Sequence, residues 1–124
     1  MALDAIGTPT PVEEVPTTGQ TLWCVSGSDT DASTAIEIKA APGVGKALYI
    51  YSVILQSDDA DAHPQLQDED DNILFGPLQS TVEGAFIGHT FKKPLKLVEN
   101  KALEIKAAAG GNVFVFVEGA TAGG

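Results

Sequence analysis

Residues 46–56 read KALYIYSVILQ and residues 112–118 read NVFVFVE. Both runs are rich in β-branched and aromatic side chains and too short for a buried helix, so each reads as a strand. In Lys46–Gln56, Leu48, Ile50 and Ile54 alternate with Tyr49, Tyr51, Val53 and Leu55, and in Asn112–Glu118, Val113, Val115 and Val117 alternate with Phe114 and Phe116. Successive residues of a strand point to opposite faces of its sheet, so both strands present apolar side chains in both directions. An antiparallel sheet normally keeps one face wet. The second apolar face is therefore expected to be covered by another segment or by a second subunit, and self-association follows as an expectation.

Working outward, Ser33–Ala40 sets Ile36 and Ile38 on one face and Glu37 and Lys39 on the other, which is a strand with one wet side. Ala102–Ala107 repeats the arrangement with Leu103 and Ile105 against Glu104 and Lys106. The two segments echo one another, AIEIKAA at 35–41 and ALEIKAA at 102–108, either as a duplication or as one solution found twice for the same amphipathic problem. Weaker strand patterns cover Thr21–Val25, His63–Gln67, Asn72–Gly76 and Gly84–Phe91, bringing the total to about eight. Gly, Pro, Asp and Asn clusters separate them at intervals of about ten residues, and no helical stripe competes. The pattern predicts an all-β antiparallel β-sandwich, jelly-roll-like, of about eight strands. Pro42-Gly-Val-Gly45 and Gly110-Gly-Asn112 read as turns between paired strands.

Residues 1–20 contain Pro9, Pro11 and Pro16, each of which removes a backbone donor and biases its predecessor to extended geometry. They predict an extended N-terminal arm, followed by a sandwich domain at 21–119 and a flexible tail at 120–124. Leu3, Ile6, Val12 and Val15 are isolated apolar residues in this polar arm and are expected to anchor it on a partner.

At 124 residues the chain is a single-domain length, with 44% hydrophobic residues to build one core. Seventeen acidic residues against seven lysines give a net charge of −10, and there is no arginine. Nucleic acid is not expected as a partner on those grounds, because phosphate binding needs a basic face and guanine readout a bidentate donor. The charge is polarised along the chain: residues 1–38 carry six acids and no base, while 92–106 hold five of the seven lysines. No apolar run approaches the length of a membrane span and the N-terminus lacks a leader's basic and apolar regions, so neither a membrane partner nor Sec-type export is expected.

Cys24 is the only cysteine, which rules out an internal disulfide, and beside Trp23 it is expected to be a buried structural residue. His63 and His89 are the only general-base candidates near neutrality, and neither lies in a nucleophile or metal motif. His63 reads as a loop or strand-start residue and His89 as a packed strand residue. Asp68-Glu-Asp-Asp-Asn72 is the densest acidic run, but it lacks the glycine and distant glutamate of a calcium loop and reads as a hairpin turn. No enzyme activity, catalytic residue, metal ligand set or cofactor is expected. Trp23, Tyr49, Tyr51, Phe114 and Phe116 are the candidate oligomer-interface residues, since aromatic anchors dominate such surfaces.

Lys46-Ala-Leu-Tyr-Ile-Tyr-Ser-Val-Ile-Leu55, Leu66 through Phe75-Gly-Pro-Leu78, Gly84-Ala-Phe86, Pro94-Leu-Lys-Leu97, Asn100 through Lys106 and Val113 through Gly119 together resemble small tailed-phage virion proteins of the head decoration, or cement, type. The resemblance spans about residues 45–119. It implies a β-sandwich or jelly-roll body, a homotrimer, the major capsid protein as partner, and a place on the outer surface of a bacteriophage capsid. A glycan or host-surface binding module on a virion is the alternative.

Overall fold

The computed structural model describes residues 19–79 and 84–124. Leu3, Ile6, Val12 and Val15, with all of the expected arm before Gly19, lie outside the described residues. Eight strands are present among those described: β1 Thr21–Asp29, β2 Ile36–Lys39, β3 Lys46–Ser57, β4 Gln65–Asp68, β5 Ile73–Phe75, β6 Phe86–Lys96, β7 Leu103–Lys106 and β8 Val113–Gly123. They form two four-stranded sheets, ordered β1-β8-β3-β6 and β2-β7-β4-β5, with every neighbouring pair antiparallel. The chain is an all-β antiparallel sandwich, and this interleaved strand order is that of a jelly roll.

The topology corrects one local reading. The Gly-rich loops at 42–45 and 110–112 do not join paired strands; β2 and β3, and likewise β7 and β8, lie in different sheets, so both loops cross from one layer to the other. Among the described strands only β4 and β5 form a hairpin within one sheet, closed by the acidic turn. Loop chemistry reports that the chain reverses, whereas pairing is decided by strands distant in sequence. The echoing segments at 35–41 and 102–108 prove to be direct neighbours, with Ile36 facing Ile105 and Glu37 facing Glu104.

One core fills the space between the sheets. Leu48, Ile50, Val53, Leu55, Val113, Val115 and Val117 from the first sheet meet Leu66, Leu103 and Ile105 from the second, all buried. Each such side chain contributes roughly 1.5–3 kcal/mol by leaving water. The inward set on β3 differs from strict alternation because the register slips between Ile50 and Ser52, against both β6 and β8. This bulge at Tyr51 resets the parity. Val53 and Leu55 therefore join Leu48 and Ile50 inside, and Ile54 turns outward.

Opposite the bulge, Gly119 of β8 is hemmed in on both sides. A Cβ there would lie 2.6 Å from Trp23 Cη2 and far inside contact distance of the Tyr49 carbonyl oxygen. Glycine is required here by close approach rather than by backbone angle.

Three further expectations are corrected. Residues 120–123 are not a flexible tail: β8 continues to Gly123, pairing Ala120 with Leu22 and Tyr49 and Ala122 with Ala47, and both alanines are buried. Their small side chains carry little strand signal, and the paired neighbours supply the order. Strand β6 runs through Lys92-Lys93-Pro94 to Lys96, because Phe91–Pro94 bulge out between the pairs Thr90–Ser52 and Leu95–Ile50. Cys24 is exposed, since it sits on an edge strand and faces away from the core.

Candidate interaction face

The outer side of the first sheet is read row by row from the register. One row is Ser28, Phe114, Gln56 and Phe86; the next is Ser26, Phe116, Ile54 and Gly88; a third is Cys24, Glu118, Ser52 and Thr90. Phe86 is 69% exposed, Ile54 46% and Phe114 44%, with Phe116 half-buried between them. Three large apolar residues open to water in two adjacent rows make an apolar band, flanked on β1 by Ser26 and Ser28. Polar contacts bound it: Ser52 Oγ donates to Glu118 Oε1 at 2.7 Å and Gln56 Nε2 donates to the Gly84 carbonyl at 3.2 Å.

The five aromatic residues singled out from sequence divide between roles. Phe114 and Phe116 lie together in the band. Tyr49, on the same side of the sheet, is only 2% exposed; it packs with Ala47 and Ala122, and its hydroxyl donates to the Gly123 carbonyl at 2.6 Å. Lys96 Nζ lies 5.9 Å from its ring centroid. Tyr51, at the bulge, is half-buried, and its hydroxyl accepts from Gln20 Nε2 at 3.0 Å. Trp23 turns inward against the core, with its indole N–H donating to Thr121 Oγ1 at 3.2 Å and Lys39 Nζ 5.2 Å from its ring. These three make contacts within the fold, and the band is built from two of the residues singled out, Phe114 and Phe116, and two that were not, Ile54 and Phe86. Ile54 was hidden by the bulge, and Phe86 by the weakness of its strand pattern.

The remaining polar residues are mostly engaged within the fold. The Asp68 carboxylate is buried and accepts from the backbone N–H groups of Asp70 and Asn72 at 2.8 and 3.0 Å and from Asn72 Nδ2 at 2.9 Å. Burial acts to raise its pKa, but the bonds from Asn72 and Asp70, with Lys101 nearby, outweigh it and hold the carboxyl below its ordinary range. The acidic run is thus a turn closed on its own first residue, with Asp71 at a φ of 67°. Lys101 Nζ lies 3.1 Å from Asp70 Oδ2, which raises the lysine's pKa. His63 places Nδ1 2.9 Å from the Leu78 carbonyl oxygen. His89 is exposed rather than enclosed, with its ring centroid 4.7 Å from that of Phe91 and 6.5 Å from that of Phe75. Among the described residues no group of three potential metal ligands converges and no helix is long and apolar enough to cross a membrane.

No family model and no curated protein matches the chain. Among solved structures it is similar to a chain from the virus-like particle of the giant freshwater prawn Macrobrachium rosenbergii extra small virus, with 13% identity and a TM-score of 0.40, over 100% of this chain and 94% of that one. It is also similar to a chain of the Bacillus endospore appendages, described as disulfide-linked pili, with 14% identity and a TM-score of 0.39, over 94% of this chain and 98% of that one.

Proposed function

We propose that the chain is a non-enzymatic structural protein of a virion, which associates with copies of itself, as a trimer, and decorates and stabilises the outer surface of a phage capsid by gripping its major capsid protein. The observation that carries this reading is the exposed band of Phe86, Ile54, Phe114 and Phe116 on an otherwise regular sheet. Contiguous apolar surface of this kind marks an interaction site. A subunit that binds only the assembled shell stabilises that shell by mass action and needs no chemistry of its own. The sequence resemblance over residues 45–119 supplies the phage capsid as the partner. A glycan reading would use the same Phe86 and Phe114 rings as stacking platforms, with Gln56 and Ser28 as polar neighbours.

The test is the solution mass of the full chain by light scattering, compared with an Ile54→Lys and Phe114→Lys double variant, with co-sedimentation on undecorated capsids as second readout. The reading expects an oligomer that binds capsids and a variant that loses both while unfolding at the wild-type temperature. A wild-type monomer that ignores capsids overturns it, and saturable binding to a soluble oligosaccharide by that monomer would establish the glycan reading instead.

A further inference from the structure

The first sheet has two edges, and they are treated differently. At one, β6 carries Lys92, Lys93, Pro94 and Lys96 and bulges away from its partner between Thr90 and Leu95. Lysines, prolines and bulges are the devices by which proteins keep a sheet edge from pairing with another chain. At the other edge, β1 has none of them. Its nine residues pair with β8 in unbroken register, and Thr21–Ser28 contains neither charge nor proline. Among the described residues nothing pairs with the far side of β1.

Beside that edge the sandwich is open. A cleft of ≈ 270 Å³ lies between β1 and β2, lined by Val25, Ile36, Ile38, Ile105, Val113 and Val115, with Ser28, Asp29 and Glu37 also in its wall. Its cause is local: Gly27 occupies an inward position on β1, opposite Val115, and a Cβ there would meet nothing within 4 Å. The strand thus lacks the side chain that would close its own core.

We infer that β1 and this cleft accept an extended N-terminal segment from a second copy of the chain, which pairs with the open edge and drops an apolar side chain into the space beside Gly27. This rests on the self-association proposed above. Residues 5–12, AIGTPTPV, are an uncharged stretch between Asp4 and Glu13, matching the uncharged edge, and Ile6 and Val12 are candidate cleft fillers. The eighteen residues before Gly19 span up to roughly 60 Å when extended, enough to reach a neighbour. A return within one chain, turning at Gly19 (φ 75°), would set Glu13 and Glu14 opposite Cys24 and Trp23, with one carboxylate on the apolar inner side. A second copy supplies residues 5–12 without that cost. Strand addition of this type draws affinity from main-chain bonds and specificity from the side-chain pocket.

The test uses full-length chains with one cysteine each. With Ile6 or Val12 turned into the cleft, its neighbour Ala5 or Pro11 lies on the outer side of the sheet with Ser28. Cys24→Ser with Ala5→Cys, and separately Cys24→Ser with Pro11→Cys, is mixed under mild oxidation with Cys24→Ser with Ser28→Cys, and the products are weighed as intact proteins. Heterodimer from one of the two is expected to form faster, by on the order of tenfold or more, than with a partner carrying Lys92→Cys on the guarded edge, because docking raises the effective concentration of the two thiols. Equal rates at the two edges for both overturn the inference. So does a chain carrying the arm cysteine and Ser28→Cys that closes on itself while the mixture gives no heterodimer. Light scattering of the wild-type chain in the same buffer separates the failures: an oligomer without a bond from Ala5→Cys or Pro11→Cys to Ser28→Cys removes this inference alone, and a monomer removes the self-association reading with it.

Discussion

Replacing Gly119 with alanine should cost more than any other single-methyl addition in the first sheet. The added carbon would meet Trp23 Cη2 at 2.6 Å on one side and the Tyr49 carbonyl oxygen, closer still, on the other. Neither neighbour yields cheaply. The carbonyl belongs to β3 beside the bulge, where a shift breaks pairing to both β6 and β8, and the indole is held by Thr121 and by the core beneath it. Overpacking a well-filled site costs about 1–3 kcal/mol, and rigid neighbours on both sides put this one at the upper end. For a domain of this size about 3 kcal/mol corresponds to a fall in Tm of roughly 10 °C. Gly88→Ala is the control, because its carbon would press only on Ile54 Cγ1, at 3.2 Å on an exposed face where that side chain can move, and would meet the Val53 carbonyl oxygen at an ordinary contact of 3.5 Å. Thermal unfolding followed by the fluorescence of Trp23, the sole tryptophan, reads both variants. A Gly119→Ala protein melting within about 2 °C of wild type, with an unshifted emission maximum, would refute the claim that Gly119 is fixed by close approach.

Acid should act through Asp68. Its folded carboxyl is held below its ordinary value, so it contributes stability that is present above the unfolded pKa of about 4 and is lost as pH falls through the folded value. Denaturant titrations from pH 6 to pH 2 should show that loss, and Asp68→Ala should cost about 1–3 kcal/mol at neutral pH by orphaning the turn's N–H donors while flattening the acid limb. Lys101→Ala should change stability by less than about 1 kcal/mol, because its bridge to Asp70 is solvent-accessible on both sides. Cys24 should react with a thiol reagent in the folded monomeric chain at a rate approaching that of the unfolded one, and Cys24→Ser should leave the Tm within about 2 °C.

The long two-faced runs at 46–56 and 112–118 were legible because packing and pattern agree there: Val113, Val115 and Val117 go inside, and Phe114 and Phe116 go out. Period-two reasoning fails wherever a bulge inserts a residue, which is why Ile54 and Leu55 exchange faces after Tyr51 with no change in composition to announce it. It fails again at Pro94, which a strand tolerates only because β6 is an edge and bulges there. Cys24 followed from neither rule. Its exposure is a property of where β1 falls in the strand order, and that order depends on partners a hundred residues away. The candidate face was half visible for the same reason, since Phe114 and Phe116 share a strong strand while Phe86 enters only once β6 is laid beside β3.

The jelly-roll order also governs when the protein can fold. β1 has β8 as its partner, with Thr21 facing Thr121, so the earliest of the described strands has no partner among them until the last one exists. During that interval the uncharged stretch Thr21–Ser28, with Leu22 and Trp23, stays in water, and every other pairing except the β4–β5 hairpin also joins strands well separated in sequence, from Gln56–Phe86 to Lys46–Gly123. Such a topology folds slowly and spends its vulnerable time as an open edge. Yield in a cell should therefore depend on the gap between making β1 and making β8, through synthesis rate, temperature and chaperone supply, more than on the depth of the finished core.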